Sequence, residues 1–114
     1  MRLIAKKTLV KLKKKNIGNR PLCKEIDRLI SDIEKADWKS EADIYKSRQD
    51  ADCVHNEGFY FFNIAVHRTM IMIQLDTESE ATVVWAGTHR EYDETFKNNK
   101  NTIEKWLRKR EYIL

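Results

Sequence analysis

Thr88-His89-Arg90-Glu91-Tyr92-Asp93 sets an imidazole, a guanidinium, two carboxylates and a phenol within six residues, just after the apolar run Ala81-Thr82-Val83-Val84-Trp85. These groups suit phosphodiester cleavage without a metal. Cutting RNA through its own 2′-hydroxyl needs a base near that hydroxyl, an acid near the leaving oxygen, and cations facing a phosphate whose charge grows in the transition state. His89 is the candidate acid or base, because an ordinary imidazole titrates near neutral pH. Arg90, Arg68 and the N-terminal lysines are the candidate cations. Tyr92 is a candidate for stacking on an unpaired base or relaying a proton. Each residue also has a plainer reading: His89 as a surface or capping residue, Glu91 and Asp93 as caps of the following helix, and Tyr92 as a core anchor.

Other chemistry finds less support. His55, His67, His89 and Cys53 all fall in the strand-rich part that begins after Asp50, but their spacing matches no zinc motif such as HExxH or CxxC. There is no GxSxG and no glycine-rich phosphate loop, and the chain has only three glycines, so neither a metal nor a nucleotide cofactor is expected.

The net charge of +4 hides an asymmetry. Residues 1–24 hold nine Lys or Arg and no acid, whereas residues 25–114 hold 13 basic and 18 acidic side chains. A polycationic end attracts phosphate backbones or acidic partners, since neutralised phosphates release condensed counterions; the alternative is a merely solvated basic helix. No run approaches the length of a transmembrane helix and the lysine-rich start lacks a signal peptide's apolar core, so the expected location is the cytoplasm. Cys23 and Cys53 fall in different elements and are expected to be reduced.

The 114 residues fit one domain. Met1–Ala5 reads as a short edge strand, and Thr8 as the cap of a helix stopped by Asn16 and Gly18. Pro21 opens a second helix whose Leu22, Ile26, Leu29, Ile30 and Ile33 recur at helical spacing. A short helix after Ser40 is expected next, with Asp43 three residues on. From Asp50 the pattern turns to strands at 51–55, 59–66, 69–75 and 81–87, with turns at 56–58 and 76–80. The strand 59–66 is apolar on both sides and should lie centrally, covered on each face. His67 and Arg68 fall in or beside a turn. A final helix from about Asn101 to Tyr112, with Ile103, Trp106 and Leu107 on one side, closes the core, presents a basic face or yields its place to a partner. The fold class is α+β, helices packed on one face of a mostly antiparallel sheet of four to five strands.

In this order, Ala36-Asp37-Trp38-Lys39-Ser40, Ala51-Asp52-Cys53-Val54-His55, Tyr60-Phe61-Phe62-Asn63-Ile64 and Gly87 to Asp93 resemble the HigB-type toxins of type II toxin-antitoxin systems, within the RelE-like group. The resemblance covers about Met1 to Lys97. Its most specific pieces are the Thr-His-x-Glu-Tyr-Asp signature at 88–93 and the Phe-Asn-Ile strand at 62–64. It implies a microbial-RNase-like core of about 1–97 with a helical extension over 100–114, and an mRNA interferase: an endoribonuclease that cleaves messenger RNA on the translating ribosome. The implied partner is an antitoxin with a helix-turn-helix domain, through which alone the chain would meet DNA. Carried over by motif, His89 and Tyr92 are the expected catalytic residues. Arg68 joins them because relatives carry an arginine in the next strand where this chain has Met70, and residues 68 and 70 of an extended segment share a face. Arg90, Lys13, Lys14, Lys15, Asn63 and His67 are the expected RNA contacts. The alternative is an RNA- or ribosome-binding module that has lost catalysis; a third reading makes the chain chiefly half of a repressor complex.

Overall fold

The structure, a computed structural model, describes residues 1–76 and 78–114. In chain order the elements are β1 (Arg2–Ile4), α1 (Lys7–Lys15), α2 (Arg20–Glu34), α3 (Glu41–Ser47), β2 (Asp52–His55), β3 (Phe59–Ile64), β4 (His67–Gln74), β5 (Glu80–Thr88), α4 (His89–Phe96) and α5 (Lys100–Lys109). The expected turn at 76–80 includes position 77, which lies outside the described residues. The strands form one sheet in the order β1-β5-β4-β3-β2, antiparallel except for β1 alongside β5.

Local chemistry accounts for most boundaries. The Asn19 side chain accepts a hydrogen bond from the Leu22 N–H and Pro21 sits in the first turn, so α2 starts where its orphan donors are met. All five residues of its apolar stripe are buried. Gly58 turns β2 into β3 at φ 92°, and a Cβ there would meet the Ile73 carbonyl oxygen at 2.5 Å. Helix α1 begins one residue before Thr8, which lies inside it and is not its cap. At α3, Ser40 holds the cap position without a side-chain bond, and Asp43 instead accepts from the Lys39 N–H.

The sheet lies between two helical layers. One core joins Leu9, Leu22, Ile26, Leu29, Ile33 and Ile44 to Tyr60, Phe62, Ile64, Ile71, Ile73 and Val83. The other joins Val54, Phe59, Phe61 and Met70 to Tyr92, Phe96, Ile103, Leu107 and Ile113. The expectation of helices on one face is therefore corrected. Strand β3 is apolar on both sides and needs two covers, and α4 with α5 supplies the second. The expected centrality of β3 is corrected too: it lies one strand in from the β2 edge, and β4 holds the middle. His67 and Arg68 belong to β4, after a two-residue link in which Ala65 takes a left-handed φ of 58°.

Candidate functional site

The end of the sheet where β3 finishes, β4 starts and β5 gives way to α4 gathers most of the candidate residues. Register places Asn63 opposite Arg68 and His67 opposite Thr88. Thr88 caps α4 through a reciprocal pair: its hydroxyl accepts from the Glu91 N–H at 3.0 Å, and the Glu91 carboxylate accepts from the Thr88 N–H at 2.9 Å. Those hydrogen bonds, foremost the backbone one, hold the Glu91 carboxyl below its ordinary range, helped by His67 and Lys15 nearby. Of the two carboxylates that the motif leaves open, Glu91 builds the helix start and Asp93 serves the histidine.

His89 is the first residue of α4 and its side chain is well exposed. Its Nδ1 lies 3.2 Å from Asp93 Oδ2 one turn on. An ionised carboxylate can only accept, so a hydrogen on Nδ1 satisfies this contact and leaves Nε2 unprotonated and able to exchange a proton. Below the imidazole stands Tyr92, its ring 5.7 Å away edge-on. Tyr92 is 2% exposed and its hydroxyl donates to Asn98 Oδ1 at 3.0 Å. Asn98 lies in the link between α4 and α5, where it and Lys97 both adopt left-handed φ. The ring is thus a wall of the site, and neither stacks on a base nor faces solvent with its hydroxyl.

Arg68 packs over the same ring. Its guanidinium carbon sits 4.5 Å from the Tyr92 centroid and 5.1 Å from that of Phe61. Two rings give the cation a defined position, each contact being worth about 0.5–2 kcal/mol. Among the described residues its ionic neighbour is the exposed Asp52 at 3.8 Å. The Arg68 side chain is itself only 15% exposed, and its Nε is buried without a hydrogen-bond partner among the described residues. Met70, on the same face, is wholly buried beneath α4 and α5.

The remaining candidates divide. Arg90 is exposed and pairs with Glu94 along α4. Lys14 and Lys15 are exposed at the end of α1, whereas Lys13 turns toward α2, where Asp27 holds it at 2.8 Å and raises its pKa through that hydrogen bond. His67 is buried, with Nδ1 lacking a hydrogen-bond partner. Asn63 is exposed, and its backbone is fixed from below: its N–H donates to Asp50 and its carbonyl accepts from Arg48. Sequence reasoning did not point to Arg48, which is 7% exposed and also holds Asp32 at 3.1 Å and Asp50 at 2.7 Å. Nor did it single out Asn98; only its place in a helix link after the motif could have done so.

Elsewhere, a groove along the β2 edge, lined by Cys53, Tyr60, His55 and Glu41, carries little reactive chemistry. Burial raises the Cys53 thiol and the Tyr60 phenol above their usual ranges, so both stay protonated. Both cysteines are free. Among the described residues no cluster of His, Cys, Asp and Glu could hold a metal ion, and no helix is long and apolar enough to cross a membrane.

A family model described as HigB_toxin, the RelE-like toxic component of a toxin-antitoxin system, matches residues 23–95, from early α2 to the last turn of α4. The whole of the His89, Tyr92 and Arg68 arrangement falls inside that span. No curated protein matches the chain closely enough to count as a relative.

Proposed function

Because the chain belongs to the HigB toxin family, the RelE-like toxic component of toxin-antitoxin systems, we propose that it is an mRNA interferase: a metal-independent endoribonuclease that cuts messenger RNA on the translating ribosome and so slows translation and growth. The single observation that carries this reading is that an exposed, carboxylate-oriented imidazole and a ring-held guanidinium both pack against Tyr92. A base removes the proton of the 2′-hydroxyl, the freed oxygen attacks phosphorus, and the 5′-oxygen departs as it gains a proton. The products are a 2′,3′-cyclic phosphate and a 5′-hydroxyl. His89 Nε2 makes one of those two proton transfers. Arg68 balances the charge gathering on the phosphate oxygens. Tyr92 supports both without touching RNA. The antitoxin that such a toxin implies is a helix-turn-helix protein in this reading.

Two reporter messages, one with a start codon and one without, test the ribosome requirement in a translating extract. Cleavage of the translated message alone is expected; equal cleavage of both would make the enzyme a free-standing ribonuclease. Met70 supports a second reading. It stands buried where the resemblance implies a strand arginine, which fits a module that binds RNA or the ribosome without cutting. Slowed translation with intact message would select that reading.

A further inference from the structure

The cations of the first 24 residues do not act as one patch. Arg2 faces Glu80, Lys6 pairs with Glu34 and Lys13 with Asp27. Lys7, Lys11, Lys14 and Lys15 are exposed, and none forms a salt bridge among the described residues. Positions 7, 11, 14 and 15 share one helical face, so about one ammonium group per turn repeats every 5–6 Å along the free side of α1. The helix runs along β5, since β1 lies parallel to the start of that strand and α1 packs against it afterwards. A groove of about 250 Å³ separates the two, lined by Thr8, Lys11, Leu12, Lys15 and Ala86. At its far end Lys15 lines the groove with Ala86, two residues before Thr88, the cap of α4. That is the corner from which His89 projects.

We propose that Lys7, Lys11, Lys14 and Lys15 form a track for the phosphodiester backbone of RNA, leading along α1 and β5 to the His89 corner. This rests on the reading of the protein as an RNA-cleaving toxin, and it concerns a helix outside the matched residues 23–95. A merely solvated basic helix would scatter its charges around the axis. Here Lys6 and Lys13 are paired to α2, and the others share one exposed face on which Lys11 and Lys15 line the groove beside β5. A phosphate chain fits an evenly spaced row of point charges because its own charge repeats at every nucleotide.

Binding is measured in a His89→Ala background, so that cleavage plays no part, using a short single-stranded RNA and, separately, ribosomes carrying a short message, over a range of salt. Lys7→Gln with Lys11→Gln should weaken binding about tenfold near physiological salt and flatten the salt slope by about 1.4, the share of two phosphate contacts on a single strand. Lys105→Gln with Lys109→Gln removes the same charge from exposed positions on α5 and should leave both quantities unchanged. Loss on the oligonucleotide identifies the occupant as the message, and loss on ribosomes alone as ribosomal RNA; either supports the track. The proposal is overturned if the α1 variant binds both as its parent does, leaving an acidic protein segment as the better occupant. It is also overturned if the α5 variant weakens as much, or if the parent binds neither. Chain that binds along α1 but never cuts would sink the catalytic reading and leave the track standing.

Discussion

His89 and Arg68 meet the same phenol ring from different elements, and they ask different things of it. The imidazole needs a firm edge beside it while Asp93 holds its Nδ1; the guanidinium needs a π-face. The Tyr92 hydroxyl serves neither directly, being spent on Asn98. Tyr92→Phe should therefore keep cleavage within a few-fold and lower stability by about 1 kcal/mol, the worth of one hydrogen bond. Tyr92→Ala should cost about 3–5 kcal/mol through the cavity left under both groups. Thermal melts and a cleavage assay on the same samples separate the two effects. A hundredfold loss of cleavage in Tyr92→Phe with an unchanged melt would show that the hydroxyl takes part in the chemistry.

At the scale of elements, the start of α4 decides where His89 points. The capping box of Thr88 and Glu91 fixes the first turn, and Thr88→Ala should lose about 1 kcal/mol, read in denaturant unfolding. The Glu91 carboxyl is held below its ordinary range in the folded chain, so its contribution is present at neutral pH and fades as acid protonates it through and below the carboxylate range. Glu91→Gln should thus differ from the parent most at about pH 7 and least at about pH 3. A gap in melting temperature that widens in acid would refute that assignment. The motif, the stripe of α2 and the β2–β3 hairpin were legible because each is a local pattern of caps, period or turn residues. What covers the second face of the sheet was not. A strand apolar on both sides demands two covers without saying which helices provide them, and Trp106, Ile103 and Leu107 gave only an amphipathic helix. The Arg68–Tyr92 stack was equally hidden, because it joins the register of β4 to the docking of α4, and neither shows in local spacing.

Across the whole molecule, α5 is more than an appendage. Ile103, Leu107 and Ile113 are buried in the core that also holds Met70, Phe59 and Phe96, and Tyr112 stacks on Trp106. Burying three such side chains is worth about 1.5–3 kcal/mol each, comparable to the net stability of a typical domain. A chain ending at Asn99 should therefore fail to melt cooperatively or aggregate; a cooperative melt within a few degrees of the parent would show that α5 is dispensable. The same layer accounts for position 70, since an arginine there would put a charge under α4 and α5. Catalysis, on this account, belongs to the rim of the sheet and to His89. Primer extension on a reporter message in a translating extract tests that most directly, with the parent chain beside His89→Ala. New 5′ ends within the coding region that fall by about 10² to 10⁴-fold in the variant are expected, with both proteins melting alike. Equal cleavage by the two, or intact message with the parent, would contradict it.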